Sequence, residues 1–447
     1  MKAVRAMKTS EPIRLTMTGA RSPLRRVTFT AVIIGAALAA LSAASTDPST
    51  RSSLSSLATG QLTERPLVDG SLAHPAIGYF SRPTTDPVAE LKRRIDDGTA
   101  RLTFDEGTGY LRSVLDALHV PVESQMLVMS KTGVQGLHTG PDNPRAIYFT
   151  DNVTVGYIRG APLLEFAVHD PQQGVVFYTI DQKPQQRVAI DRPSSCLRCH
   201  VVYSTLHVPG MLARSSFIAP DGLPLGQFGG YDADDRTPFR RRWGGWYVTG
   251  THGEMRHMGN ASVTNRDDPE SAISDRTLNR TSLDGAFDAH GYLSTHSDIA
   301  ALMVFEHQSH MTNLITRIGW EARIAAHDHT LDFASGPMRD AVNELVDYLL
   351  FVDEQPLTAA MKGTSGFAEE FAALGPADSR GRSLRQLDLE RRLLKYPCSY
   401  MIYSAAFTGL PADVRQAIYR RVREILAARD DHAILDILRD TLHDPAF

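Results

Sequence analysis

Residues 145–180 read RAIYFTDNVTVGYIRGAPLLEFAVHDPQQGVVFYTI, and the fold class turns on how that stretch divides. Segments 145–150, 153–159, 163–169 and 174–180 are rich in β-branched and aromatic side chains, which suit a pleated, half-buried surface. Between them stand Asp151-Asn152, Gly160-Ala161-Pro162 and Asp170-Pro171-Gln172-Gln173-Gly174, residues that favour turns over regular backbone. A fifth segment of the same character, 125–130, comes before them. Connections this short join strands to their chain neighbours in antiparallel fashion. The spacing therefore predicts an antiparallel meander.

Outward from the meander, helical spacing predicts helices over 87–97 and 105–119, the second with Leu111, Val114, Leu115 and Leu118 on one face. Downstream, Ala219-Pro220-Asp221-Gly222 predicts the turn of a hairpin over 215–226. A strand is expected at 246–249 and an irregular loop at 250–260, where glycines and polar residues dominate. From about residue 284 the pattern becomes helical, with helices expected at 296–327, 337–353, 384–395, 411–428 and 431–442. The fold class expected is α+β, an antiparallel β-rich region followed by an all-α C-terminal region. The boundaries are 76–270 and 271–447, and no internal repeat is visible.

The N-terminal part reads as a targeting segment. Arg14, Arg21, Arg25 and Arg26 precede the apolar run VTFTAVIIGAALAALSAA at 27–44, which ends in small residues at Ser42-Ala43-Ala44. That order describes a secretory signal over 1–45, or an uncleaved membrane anchor of about the minimum spanning length. Met17, as the start in place of Met1 or Met7, would leave a signal of more usual size. Residues 46–75 are rich in Ser, Thr, Pro and Gly and read as a linker. With a net charge of −4, the chain lacks the basic footprint of a nucleic-acid binder. Three cysteines do not make a disulfide scaffold.

Two of those three cysteines stand together, in SSCLRCHVV at 194–202. Cys196, Cys199 and His200 form the C-x-x-C-H pattern of covalent haem attachment. Two thiols on one short turn reach the two vinyl groups on one edge of a porphyrin, and the next residue's imidazole sits under the iron. A zinc site would need a further pair of ligands, and only scattered histidines are available. A thioredoxin-type dithiol would follow a strand and open a helix in a βαβ setting, whereas this motif follows Asp191-Arg192-Pro193. A structural disulfide is the remaining alternative. Cys398, in KYPCSYMIY, reads as a small buried hydrophobe.

In Cys196-Leu197-Arg198-Cys199-His200 the chain resembles the c-type cytochromes. The longer stretches PRAIYFTDNVTVGYIRGAP, RRWGGWYVTGTHGEMRHMGN and HSDIAALMVFEHQSHMTN are similar to those of a group of large bacterial proteins with one cytochrome c motif. The resemblance implies one covalent haem c, proximal ligation by His200, and electron exchange with a redox partner protein in the periplasm. It implies no particular reaction.

A second iron ligand would come from a His or Met. His207 and Met211 are closest in sequence, and His207 is expected on the same side of the porphyrin as His200. His252, His257 and Met258, in the loop at 250–260, are candidates for the opposite face, as is His307 on the long helix. Glu306, His307 and His310 also carry a metal-like helical spacing, without the HExxH order of a zinc protease. Arg241, in the run Arg240-Arg241-Arg242, is the candidate partner of the haem propionates, with Arg256 a second. Trp243 is a candidate to pack on the porphyrin, alongside Trp246 and Tyr247. The function expected is electron transfer by an exported mono-haem protein. The alternatives are a haem peroxidase or oxidase with an open sixth position, or a haem-based sensor.

Overall fold

Asp86 opens the first helix described, its carboxylate accepting the Val88 and Ala89 amides at 2.9 Å each, with Pro87 at the first helical position. The structure, a computed structural model, describes residues 71–447. The predicted signal and most of the predicted linker lie outside the described residues. Helices α1 (Pro87–Asp96) and α2 (Leu111–Leu118) lie ahead of the sheet, and α2 buries the expected face of Leu111, Val114, Leu115 and Leu118. The helix expected from 105 starts six residues later. Asp105 draws the Gly107 and Thr108 amides onto its carboxylate, and Gly109 turns with φ +61°, so the segment closes on itself first.

The sheet is the expected meander. Strands β1 (Met126–Val128), β2 (Arg145–Phe149), β3 (Val153–Tyr157), β4 (Leu163–Asp170) and β5 (Gly174–Asp181) lie side by side in chain order, each antiparallel to the next. One face carries Ala146, Tyr148, Val155, Tyr157, Leu164, Phe166, Val176 and Tyr178, which pack with α1 and α2 into a buried core. The register Ile147↔Gly156↔Glu165↔Thr179 and the neighbouring row Thr154↔Ala167↔Phe177 line the other face. Small residues sit in the middle of those rows, so the second face is hollowed.

The segment after β5 runs through a single helical turn, α3 (Leu197–His200), and a short ribbon of β6 (Arg214–Ser215) with β7 (Tyr231–Asp232). The hairpin near 219–222 forms, with Ile218 bridged to Pro224 and Gly222 at φ +89°. The strand expected at 246–249 is an extended segment instead. It touches β1 through a single bridge, Val128 to Trp246, because Ser297 takes the next positions on both chains: its hydroxyl bonds the Tyr247 carbonyl and the Leu127 amide.

Helix α4 (Ile299–His327) is capped by Asp298 and is buried around most of its circumference, as befits a central helix. Around it pack α5 (Gly336–Leu349), α6 (Phe367–Ala373), α7 (Ala405–Thr408) and α8 (Ala412–Ala428), with α9 (His432–Leu442) against α8. The architecture is α+β, with the sheet in the N-terminal half and helices in the C-terminal region. The helix expected at 384–395 is absent. Asp388 accepts the Glu390 and Arg391 amides and Leu389 adopts φ +55°, folding the segment into a reverse turn bridged from Leu387 to Leu394. Helix α6 was not foreseen. Among the described residues, no helix is long and apolar enough to cross a membrane.

Candidate functional site

The motif turn sits over the hollowed face of the sheet. Its local geometry is set by the loop that follows. The Gly210 amide donates to the His200 carbonyl at 3.0 Å, and His200 Nδ1 donates back to the Gly210 carbonyl at 2.9 Å. Asn313, on α4, holds the next residue from both sides: its side chain accepts the Met211 amide at 2.8 Å and donates to the Met211 carbonyl at 2.7 Å. A Cβ at Gly210 would collide with Asn313, so only glycine fits between motif and helix. The imidazole also lies against Phe177 of β5, ring centres 4.6 Å apart.

This arrangement prepares a ligand. A carbonyl can only accept, so Nδ1 carries the proton and Nε2 keeps its lone pair. Nε2 has no hydrogen-bond partner among the described residues. Burial holds the His200 pKa below the ordinary value, against the opposing pull of the Gly210 carbonyl and Glu165, which favours the neutral ring.

Cys196 is half-buried and Cys199 exposed, both free thiols. Burial pushes the Cys196 thiol up, with Glu165 adding to the effect. A redox-active dithiol has the opposite tendency. Nor do the two sulfurs and the imidazole converge: among the described residues, these three do not bring their ligand atoms within 4.8 Å of one another. A tetrahedral zinc site requires convergence. Attachment along a porphyrin edge requires divergence.

Between the motif and the sheet lies a cavity of about 710 Å³, counting its open mouth. Cys196, Cys199 and His200 line it from one side, and Ile147, Gly156, Glu165, Ala167 and Phe177 from the sheet. Gly156 meets nothing closer than 3.7 Å at its missing Cβ, so the hollow begins at the strand backbone itself. The charged side chains are Arg145 and Glu165, whose Nη2 and Oε2 lie 3.6 Å apart. Met211 closes one wall.

Comparison with family models, with curated proteins and with solved structures found no match.

Of the residues expected to complete the site, Met211 is the one the structure brings to the motif. His207 is exposed beside Tyr203. His252 and His257 are buried elsewhere, ring centres 4.7 Å apart, in a cluster with Phe239 and Trp243. His252 Nε2 accepts the Asn279 amide at 3.0 Å, and His257 Nδ1 accepts the Gly259 amide at 3.0 Å. Burial holds the pKa of His252 down and that of His257 well below the ordinary range. Trp243, itself left-handed at φ +63°, packs in this cluster against Phe239 and His257, and it does not line the cavity. Met258 is buried against Ser215, and the Arg256 guanidinium bonds the Ile273 carbonyl. Arg241 is exposed and stacks over Tyr231 at 4.9 Å, so it also misses the cavity.

His307 is sealed in a third place. Its Nε2 lies 2.7 Å from Ser399 Oγ and its Nδ1 3.7 Å from Asp235 Oδ2, while Phe351 and Tyr348 stack on its ring. The order Ser–His–Asp is that of a nucleophile relay. Ser399 and His307 have no exposure, however, and Ser399 accepts the Met401 amide, so the trio is a structural bond network. Beside it, Arg242 pairs with Glu306 at 3.0 Å, and burial raises the Glu306 carboxyl to about 8 against the pull of that guanidinium. The metal-like spacing of Glu306, His307 and His310 is thus absorbed by packing. Cys398 is fully buried, as expected.

Sequence reading missed Arg145, Gly156, Glu165 and Phe177. Each is an unremarkable member of a strand. The visible signal was the alternation of β2, β3 and β4, which places all the odd or even positions on one face.

Proposed function

We propose that the chain is an exported c-type cytochrome carrying one covalent haem. Cys196 and Cys199 form the thioethers and His200 supplies the axial nitrogen. The bound haem contributes one-electron cycling at its iron. Every other task falls to the chain. Gly210 holds His200 in the ligating tautomer, and Asn313 fastens the loop that carries Gly210. The hollow at Gly156 and Ala167 leaves room for a flat macrocycle on the sheet, and Phe177 shields the imidazole from water.

The observation that carries this reading is the pairing of His200 Nδ1 with a backbone carbonyl beside a cavity lined by both motif cysteines. Val134, exposed at the cavity, suits a redox partner protein that docks close to the haem edge. Export follows from the segment at 1–45, since bacterial haem attachment of this kind takes place outside the cytoplasm.

The test is maturation of the full chain in a cell competent for cytochrome assembly. The expected result is a mass increase of one haem that survives denaturation, with a pyridine haemochrome spectrum. A protein of unmodified mass, with two titratable thiols at 196 and 199, would refute the proposal.

A further inference from the structure

Phe177 lines a second hollow besides the motif cavity, one of about 400 Å³ counting its open mouth. Tyr79 and Phe80 bring it two more rings, edge to face at 5.2 Å, and Phe80 keeps 58% of its exposure. Arg192, Ser194 and Leu197 form the wall that runs into the motif turn. Arg192 decides what the hollow can take. Its Nη2 donates to the Tyr79 carbonyl at 2.6 Å and to Gln173 Oε1 at 2.8 Å, and its guanidinium lies over the Tyr79 ring at 4.7 Å. Gln173 is buried and fixed in turn by the Arg82 and Pro83 carbonyls. Neutral groups therefore hold the cation in place. Among the described residues no carboxylate pairs with it, and its Nε and Nη1 have no acceptor. Neither nitrogen is sealed from solvent. The Ser194 hydroxyl is likewise without a partner among the described residues.

We propose that this hollow binds a small aromatic carboxylate, of the benzoate class. The carboxylate accepts from Arg192 Nη1 and the Ser194 hydroxyl and supplies the counter-charge that the guanidinium lacks. The ring packs on Phe80 and Phe177. Each half of the ligand answers one feature of the lining, and neither half suffices. A neutral aromatic alcohol leaves the guanidinium uncompensated, and a bare anion such as acetate leaves the rings in water. The inference goes beyond the haem reading and does not need it, since every contact named is with the chain. Phe177 is common to both hollows and its ring centre lies 4.6 Å from that of His200, so an occupant here sits one ring away from the motif imidazole.

The experiment is calorimetric titration of the full matured protein with benzoate, benzyl alcohol and acetate. Benzoate is expected to bind at least about tenfold more tightly than either of the others, the scale of one charge-assisted hydrogen bond. Arg192→Gln keeps a donor for the Tyr79 carbonyl but removes the charge, and is expected to erase the preference for benzoate over benzyl alcohol. Phe80→Ala changes an exposed side chain, which guards against a folding defect in the first variant. It is expected to weaken benzoate about tenfold and to leave acetate unmoved. Benzoate binding no tighter than acetate, or an affinity indifferent to both substitutions, overturns the inference. So does binding to the Cys196→Ala, Cys199→Ala chain that vanishes in the haem-bearing protein, which would give the hollow to the cofactor's own carboxylates. Failure of haem attachment bears on the haem reading alone, because benzoate binding is read on the chain in either state.

Discussion

The motif cavity and the histidine-rich interior use the same ring in opposite ways. At His200 the anchoring partner is a carbonyl, so the anchored nitrogen donates and the other keeps a lone pair facing the cavity. At His252 and His257 the anchoring partners are backbone amides, so the anchored nitrogens accept and the others are left carrying protons. At His307, Nε2 lies 2.7 Å from the Ser399 hydroxyl and Nδ1 3.7 Å from Asp235, so both nitrogens are taken up inside the core. A protonated ring nitrogen cannot ligate iron. His200, His252 and His257, which look equivalent in the sequence, are therefore separated by the identity of one hydrogen-bond partner each, and His307 by its burial.

The sharpest way to break that comparison is to remove each region's chemistry in turn. Cys196→Ala with Cys199→Ala is expected to abolish covalent haem entirely, while His252→Ala with His257→Ala leaves the haem content of the folded fraction intact; mass spectrometry of matured protein reads both. Gly156→Leu comes next. Its Cβ meets nothing closer than 3.7 Å and its side chain takes up cavity space, so haem content is expected to fall by most of its value, while denaturant unfolding of the haem-free chain moves by less than about 1 kcal/mol. Comparable haem loading in this variant would place the macrocycle off the sheet.

His307→Ala tests the other side. It leaves Asp235 buried without its imidazole, at a cost to stability of about 3 kcal/mol, with the haem spectrum unmoved. A spectral change would make His307 a ligand and erase the distinction drawn above. The smallest effect is the pH response of the buried neutral rings. Burial lowers His169 to about 4 from 6.5 and holds His257 well below that ordinary value. The unfolded chain takes up these protons near pH 6.5 and the folded chain does not. Their contribution is thus complete above pH 6.5 and is lost as the pH falls toward 4, at about 1.4 kcal/mol per pH unit for each ring. Urea titrations at pH 7, 6 and 5 should show the slope, and His257→Gln should flatten it.

How much of this was legible depends on the range of the interaction concerned. The meander could be read because each strand pairs with its chain neighbour, and the turn residues between them act locally. Where reading failed, a side chain had intervened at short range in a way that periodicity ignores: Asp105 delayed α2, and Asp388 with Leu389 replaced a helix by a turn. The site divides similarly. Cys196, Cys199 and His200 stand within five residues, so their spacing alone carries a chemistry. Arg241 and Trp243 looked suited to a haem by residue type, yet Trp243 packs in the core against His257 and Arg241 stays on the surface over Tyr231. Arg145 and Glu165 looked like ordinary strand residues, and the register of three strands set them side by side.

By itself, then, the order of amino acids determined the α+β class, the antiparallel order of the sheet and the place of the motif, because turn chemistry, side-chain alternation and a five-residue spacing are all settled between near neighbours. Tertiary structure alone decided which histidine keeps a lone pair to offer, which face of the sheet is hollow and which charges look into it. Those outcomes depend on partners distant in the chain, such as Asn313 holding Met211 across 102 residues and Ser399 holding His307 across 92, and no local pattern in the chain encodes them.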